Sequence, residues 1–261
     1  MIFLQCSFKS EALQMMQGLN ILLPKTSMGD EIRKNELKMQ GFPVLYLLHG
    51  LSDDHSGWMR RTSIERYCEK YNLAVVMPNV NRSFYADMKY GLDYYTYVSK
   101  EIPDFVTTNF PISSKREDSY IAGLSMGGYG AFMIALRNPH MFSAAASLSG
   151  ALDLSCNLDD ISDSDFELMT KSIFGSKEEF LDSDYNLIGL MEKLQNRKNE
   201  LPRLFQCCGT EDYIYPLNQS FKAAAEKYGI ELTYEEGPGQ HDWEYWDANI
   251  QRALKWFFNE I

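Results

Sequence analysis

Nowhere in its 261 residues does the chain carry the run of about 20 apolar residues that spanning a bilayer requires. Its N-terminus, Met1-Ile2-Phe3-Leu4-Gln5-Cys6, has no basic opening and no long apolar stretch, so no secretory signal is expected. Basic residues are outnumbered, 25 Lys and Arg against 36 Asp and Glu, for a formal net charge of −11. An acidic surface repels phosphate backbones and anionic lipid heads, which argues against nucleic-acid or membrane-surface partners. It names no substrate. Cysteines are few and odd in number: Cys6, Cys68, Cys156, Cys207 and Cys208. A scattered odd set does not make a disulfide framework. Cys207 and Cys208, adjacent in one apolar run, are expected on opposite faces of a strand as buried apolar fillers. A reducing, cytoplasmic location is the reading that follows.

Cofactor signatures are missing too. The sequence has no zinc-ligand spacing, no G-x-x-x-x-G-K-[ST] and no strand-linked G-x-G-x-x-G. The pair Asp53-Asp54 and the aspartates 153, 159, 160, 163 and 165 lack the alternating spacing and central glycine of a calcium loop. They read as solvated acidic faces, and neither a metal nor a cofactor is expected.

What is present is 45% hydrophobic residues, enough for a proper core, in a pattern without repeats or linkers. Ser10 to Pro24 reads as one or two antiparallel strands split near Gly18, and 25–41 as a polar surface loop. Val44-Leu45-Tyr46-Leu47-Leu48 is apolar without alternation, as a strand buried on both faces must be. A helix is expected over 60–71, a strand over 73–77, and a helix from Tyr94 to Phe110 with Pro103 as a kink or a start. Strands at 119–122, 143–148, 203–208 and 232–235 then alternate with helices at 128–136, 217–228 and 245–258. This alternation implies an α/β fold with a mostly parallel sheet and helices on both faces. One domain over 1–261 is expected, with residues 153–200, acidic and then helical in short pieces, as a cap-like excursion.

Between the strand 119–122 and its helix stands Gly123-Leu124-Ser125-Met126-Gly127. A serine on a sharp strand-to-helix turn is forced out of the sheet in a backbone that only small flanking residues tolerate. The helix start behind it points N–H groups at any developing negative charge. Ser125 is therefore the candidate nucleophile.

A serine hydroxyl needs a base, and the chain has four histidines. His49 ends a central strand and reads as structural; His55 lies in a polar loop; His140 follows Asn138-Pro139 at a helix end. His241, in the loop Gly237-Pro238-Gly239-Gln240-His241-Asp242-Trp243 after the last strand, is placed to reach the carboxyl edge of the sheet. The base in turn needs a carboxylate, and Asp212, just past the strand 203–208, is the candidate, with Glu211 its rival. The order Ser125, Asp212, His241 is that of α/β-hydrolases. Oxyanion donors are expected from the backbone N–H groups of Met126 and Leu51. Since the histidine must be neutral to take a proton, kcat/KM is expected to rise with pH across the ordinary histidine range, roughly 6–7.

Longer stretches carry a resemblance: Leu19-Asn20-Ile21-Leu22-Leu23-Pro24, Leu47-Leu48-His49-Gly50-Leu51-Ser52-Asp53-Asp54 with Trp58, Ser83-Phe84-Tyr85-Ala86-Asp87-Met88 with Tyr90-Gly91, Gly123 to Ala131, and Gly239-Gln240-His241-Asp242-Trp243. In these the chain resembles the α/β-hydrolase esterases related to esterase D, especially the tributyrin esterase branch that includes feruloyl and acetyl esterases. The resemblance implies a serine carboxylesterase for short acyl or aromatic acyl esters, with Ser125 nucleophile, Asp212 acid and His241 base. It also implies a small-molecule ester as partner and allows a homo-oligomer. Trp58, Tyr85 and Trp243 are candidates for an acyl or aryl pocket, with core packing the other reading of each. The alternatives are an S-formylglutathione thioesterase from the same wider family, an acyltransferase, and a non-catalytic module on the same fold.

Overall fold

The computed structural model describes residues 1–25, 40–157 and 164–261. Its strands are β1 (Ile2–Ser10), β2 (Met15–Leu23), β3 (Val44–Leu48), β4 (Ala74–Pro78), β5 (Ser119–Leu124), β6 (Ala144–Leu148), β7 (Arg203–Gly209) and β8 (Thr233–Gly237). They form one sheet in the order β1-β2-β4-β3-β5-β6-β7-β8. β1 with β2 and β2 with β4 are antiparallel, and every other pairing is parallel. This is the mostly parallel α/β-hydrolase sheet that the alternation of elements implies.

Among the described residues the α-helices are α1 (Gly57–Arg61), α2 (Ile64–Glu69), α3, α4 (Met126–Arg137), α5 (Ser164–Phe174), α6 (Lys177–Asp182), α7 (Leu187–Leu194), α8 (Tyr215–Tyr228) and α9 (Trp243–Phe257). α3 is continuous through Tyr94–Thr96, a π-helical stretch Tyr97–Glu101 and Ile102–Asn109. Pro103 sits in the first turn of its last section, where a missing N–H costs least.

Strand β3 shows why the runs are unbroken. Val44, Tyr46 and Leu48 belong to one core with residues of α3, α4 and α8, whereas Leu45 and Leu47 belong to a second with Trp58, Cys68 and Trp246. Each face of the strand has its own core, so alternate residues are apolar for different neighbours. No helix among the described residues is long and apolar enough to cross a membrane.

Three expectations are corrected. Ile2–Ser10 is a full strand, and the antiparallel pair turns at residues 11–14, where Gln14 has φ +53, not at Gly18. Gly18 lies inside β2, where its missing side chain admits the His55 ring. The helix expected over 60–71 is two short helices, because Thr62 is extended; its Oγ1 donates to Trp58 O at 2.7 Å and accepts from Ile64 N–H at 3.1 Å. Asp153 is not on a solvated face: it is buried and accepts from the Ser155 N–H and from the hydroxyls of Ser155 and Ser220. Most of the loop 25–41 and the aspartates 159, 160 and 163 lie outside the described residues. Cys207 and Cys208 are buried free thiols as expected, and burial pushes the Cys208 thiol up to about 12.

Candidate active site

β5 ends at Leu124 and α4 begins at Met126, leaving Ser125 alone at the turn with φ +53 and ψ −119. Its N–H donates to Leu148 O at 3.0 Å and its carbonyl accepts from Tyr129 N–H at 3.1 Å, so β6 and α4 hold the strained backbone from both sides. A Cβ on Gly123 would stand 2.3 Å from Gly127 O, and one on Gly127 would stand 2.5 Å from Leu48 O. Both glycines of the pentapeptide are thus required by close backbone approach.

The chain brings Ser125, His241 and Asp212 together across 116 and 29 residues of sequence. Ser125 Oγ lies 3.0 Å from His241 Nε2, and His241 Nδ1 lies 2.9 and 3.0 Å from the two oxygens of Asp212. Asp212 is buried and also accepts from the Ile214 N–H at 2.9 Å. Burial alone would raise the Asp212 pKa, but the hydrogen bonds from His241 and Ile214 outweigh it and hold the carboxyl below its usual range.

Glu211, the rival carboxylate, points elsewhere. Its Oε2 accepts from the Gly239 N–H at 2.6 Å, its own N–H donates to Gly239 O at 3.1 Å, and its Oε1 accepts from Thr210 Oγ1 at 2.8 Å. The Gly239 N–H bond, ahead of that from Thr210, holds the Glu211 carboxyl below its usual range. Glu211 thus joins the loop carrying Asp212 to the loop carrying His241.

His49 is excluded as a base by its bonds. Nδ1 lies 2.7 Å from Gly50 O and Nε2 accepts from the Val80 N–H at 3.1 Å, which fixes a neutral ring protonated at Nδ1. Burial pulls its pKa down to about 4. His55 packs at Gly18 and His140 is exposed at the end of α4.

Of the three candidate pocket aromatics, two take the other reading and are core residues. Trp58 is 1% exposed and donates Nε1–H to Leu48 O at 3.0 Å; Tyr85 is 0% exposed and donates its hydroxyl to His49 O at 2.8 Å. Neither presents a face to substrate, because ring and polar atom are both used in packing. Trp243 is half-buried, edge-to-face with Trp58 at 5.2 Å and with Trp246 at 5.4 Å. Trp246 meets the His241 ring edge-to-face at 4.9 Å, so a file of three tryptophans links the end of β3 to the histidine. Trp246 and Tyr213, whose ring lies 4.6 Å from that of His241, are site residues the sequence reasoning missed. The position of Tyr213, directly after Asp212, was the one available signal.

The loop after β3 is held by its carbonyls. Leu48 O takes Trp58, His49 O takes Tyr85, and Gly50 O takes His49 and the Asp53 N–H at 3.2 Å. Gly50 packs at Ser125: a Cβ there would stand 3.7 Å from Ser125 Cβ. The next residue is Leu51. On the other side, Met126 opens α4, and the first N–H groups of a helix have no intrahelical acceptor. Among the described residues no group of three or more His, Cys, Asp or Glu is placed to hold a metal ion.

A strained serine between strand and helix, with a histidine and a buried carboxylate converging on it at the carboxyl edge of a mostly parallel sheet, is the arrangement of the serine hydrolases of the α/β-hydrolase fold. Residues 10–257 match the family described as "Putative esterase", and the chain belongs to that family. It is 30% identical over 261 residues to an acetyl esterase of Caldicellulosiruptor saccharolyticus, covering 98% of each chain. Two structures from Staphylococcus aureus superpose over 98% of both chains at 36% identity: the fluorophosphonate-binding serine hydrolase FphF, substrate bound, with a TM-score of 0.88, and the S-formylglutathione hydrolase FrmB, with a TM-score of 0.86. These relatives agree with the resemblance to esterase D-like enzymes.

Proposed function

We propose that the protein is a cofactor-free serine carboxylesterase that hydrolyses short-chain acyl or aromatic acyl esters through an acyl-enzyme on Ser125. The observation that carries this reading is the continuous array from Ser125 Oγ through His241 to Asp212, at 3.0 and 2.9 Å. Ser125 Oγ attacks the ester carbonyl while His241 Nε2 takes its proton, and the ionised Asp212 stabilises the imidazolium. The oxygen that becomes negative is met by the N–H groups of Leu51 and Met126. His241 then gives the proton to the departing alcohol, leaving the acyl group on Ser125. Water enters and attacks the acyl carbonyl as it loses a proton to His241; the bond to Ser125 Oγ then breaks, His241 returns the proton to that oxygen, and the carboxylic acid leaves.

A second reading, thioester hydrolysis of the S-formylglutathione type, is favoured by the full-length similarity to FrmB at 36% identity. Oxygen ester and thioester share the tetrahedral intermediate, so the same residues serve both. The free buried thiols Cys68, Cys207 and Cys208 support a cytoplasmic location.

The test is hydrolysis of p-nitrophenyl esters from acetate to octanoate, p-nitrophenyl ferulate and S-formylglutathione by wild type and Ser125→Ala. Turnover favouring short chains or ferulate, lost in the variant, supports the esterase. A kcat/KM for S-formylglutathione far above the best ester selects the second reading. Activity above a few per cent in folded Ser125→Ala overturns both.

A further inference from the structure

Tyr213 is the residue between the buried Asp212 and the buried Ile214, yet it is itself 76% exposed. Its backbone has little freedom. The Asp212 carboxylate accepts from the Ile214 N–H at 2.9 Å, and the Asp212 carbonyl accepts from the Tyr215 N–H at 3.0 Å. That turn sets the Tyr213 ring 4.6 Å from the His241 ring, tilted by 56°. The same imidazole is met edge-to-face at 4.9 Å by Trp246, which by contrast is only 6% exposed. A large aromatic surface is therefore held open to solvent at the rim of the imidazole.

The chemistry gives that place a meaning. The group that protonates the leaving atom is His241 Nε2, the nitrogen 3.0 Å from Ser125 Oγ. The leaving oxygen or sulfur must come within hydrogen-bond reach of that nitrogen, so whatever it carries passes beside the imidazole. The acyl chain, on the other side of the carbonyl carbon, is not under this constraint.

We propose that Tyr213 is a specificity-determining residue that receives the leaving group, so that the preferred substrates are esters or thioesters of alcohols or thiols with a flat or extended apolar portion next to the cleaved bond. An exposed aromatic face gains by burial against such a group and by offset or edge-to-face contact if it is aromatic. A methyl or ethyl leaving group is too small to cover the ring. This inference rests on the Ser125 acyl-enzyme of the proposed function.

The experiment compares phenyl, 2-naphthyl and methyl butyrate, which give one common butyryl-enzyme. In Tyr213→Ala, kcat/KM for the two aryl esters is expected to fall at least ten-fold further than for the methyl ester, with Tyr213→Trp restoring most of the aryl preference. Deacylation of the butyryl-enzyme, followed by intact mass, is expected to slow less than two-fold, because no alcohol is present in that step. If Tyr213 merely steadied His241, acylation by all three esters and deacylation would slow together, since the histidine serves both; that result overturns the proposal, as does an unchanged aryl-to-methyl ratio. Absence of any butyryl adduct on Ser125 in wild type would instead overturn the reading on which the inference rests.

Discussion

The Tyr85 hydroxyl donates to the His49 carbonyl at 2.8 Å, from a side chain with 0% exposure and with a backbone φ of +58. Its ring lies where a side chain on Gly130 would have to go, so helix α4 and the loop after β3 are both fitted to this one tyrosine. The bond acts two residues before Leu51, whose N–H is the proposed oxyanion donor. Tyr85→Phe leaves the ring and removes the hydrogen bond. We expect kcat to fall about ten-fold with KM within two-fold, since the donor matters most when charge develops on the oxygen. The stranded carbonyl is expected to cost about 1–3 kcal/mol of stability, read as a drop in the urea midpoint. An increase in KM alone would contradict the oxyanion role of this loop.

Glu211 and Asp212 are separated by their variants. Glu211→Gln keeps a carbonyl oxygen able to accept from the Gly239 N–H, a bond of 2.6 Å in the wild type, and is expected to retain at least a third of kcat. Glu211→Ala loses that acceptor and is expected to lower kcat ten-fold or more. Asp212→Asn, which removes the charge facing Nδ1 of His241, is expected to cost three to four orders of magnitude. Steady-state kinetics with p-nitrophenyl butyrate decides. A Glu211→Gln enzyme as inactive as Asp212→Asn would make Glu211 the functional acid.

His49 gives the stability a defined pH dependence. Burial pulls its pKa from about 6.5 in the unfolded chain to about 4 in the folded one. Between those values the unfolded state binds the proton and the folded state does not, so stability falls as pH drops from about 6.5 to about 4 and is not lowered further by this group below that. The difference corresponds to at most about 3 kcal/mol. The check is NMR of the His49 ring, whose resonances should hold still from pH 7 to 5. A midpoint near 6.5 would contradict the neutral, doubly bonded ring.

Substitution at Gly123 tests the turn itself. Gly123→Ala places a Cβ 2.3 Å from Gly127 O, a contact between two stretches of backbone that no side-chain rotation relieves. We expect a Tm lower by several degrees and kcat reduced at least a hundred-fold, with Ser125 displaced from His241. Differential scanning calorimetry and p-nitrophenyl butyrate turnover measure the two effects. Wild-type stability and activity would mean that the elbow is not the constraint on the serine.

Much of this was legible in the residues because the governing forces are local. Val44 to Leu48 had to be a central strand, since a five-residue apolar run needs cover on both faces. Gly123 and Gly127 flagged the turn at Ser125, and the small set of histidines left His241 as the one in a loop after the last strand. The strand Ile2–Ser10 is not among the expected elements although Ile2, Leu4, Cys6 and Phe8 alternate with polar or exposed neighbours, a period-2 signal too short and too weakly apolar to stand out by itself. The fates of Trp58 and Tyr85 were hidden for a different reason. Whether an aromatic lines a site or fills the core depends on partners 10 and 36 residues away, the carbonyls of Leu48 and His49, which no local pattern reveals. The same holds for Asp153, whose burial is set by Ser220, 67 residues on.

The central claim is that Ser125 carries the acyl group, and the most direct test is to trap it. A fluorophosphonate probe is reacted with wild type and with Ser125→Ala, and the adduct is mapped by peptide mass spectrometry. A single phosphonyl group on the peptide containing Ser125, absent from the variant and accompanied by complete loss of p-nitrophenyl butyrate hydrolysis, is the predicted result. An unlabelled Ser125 in an enzyme that still turns over, or an adduct on another residue, would contradict the account.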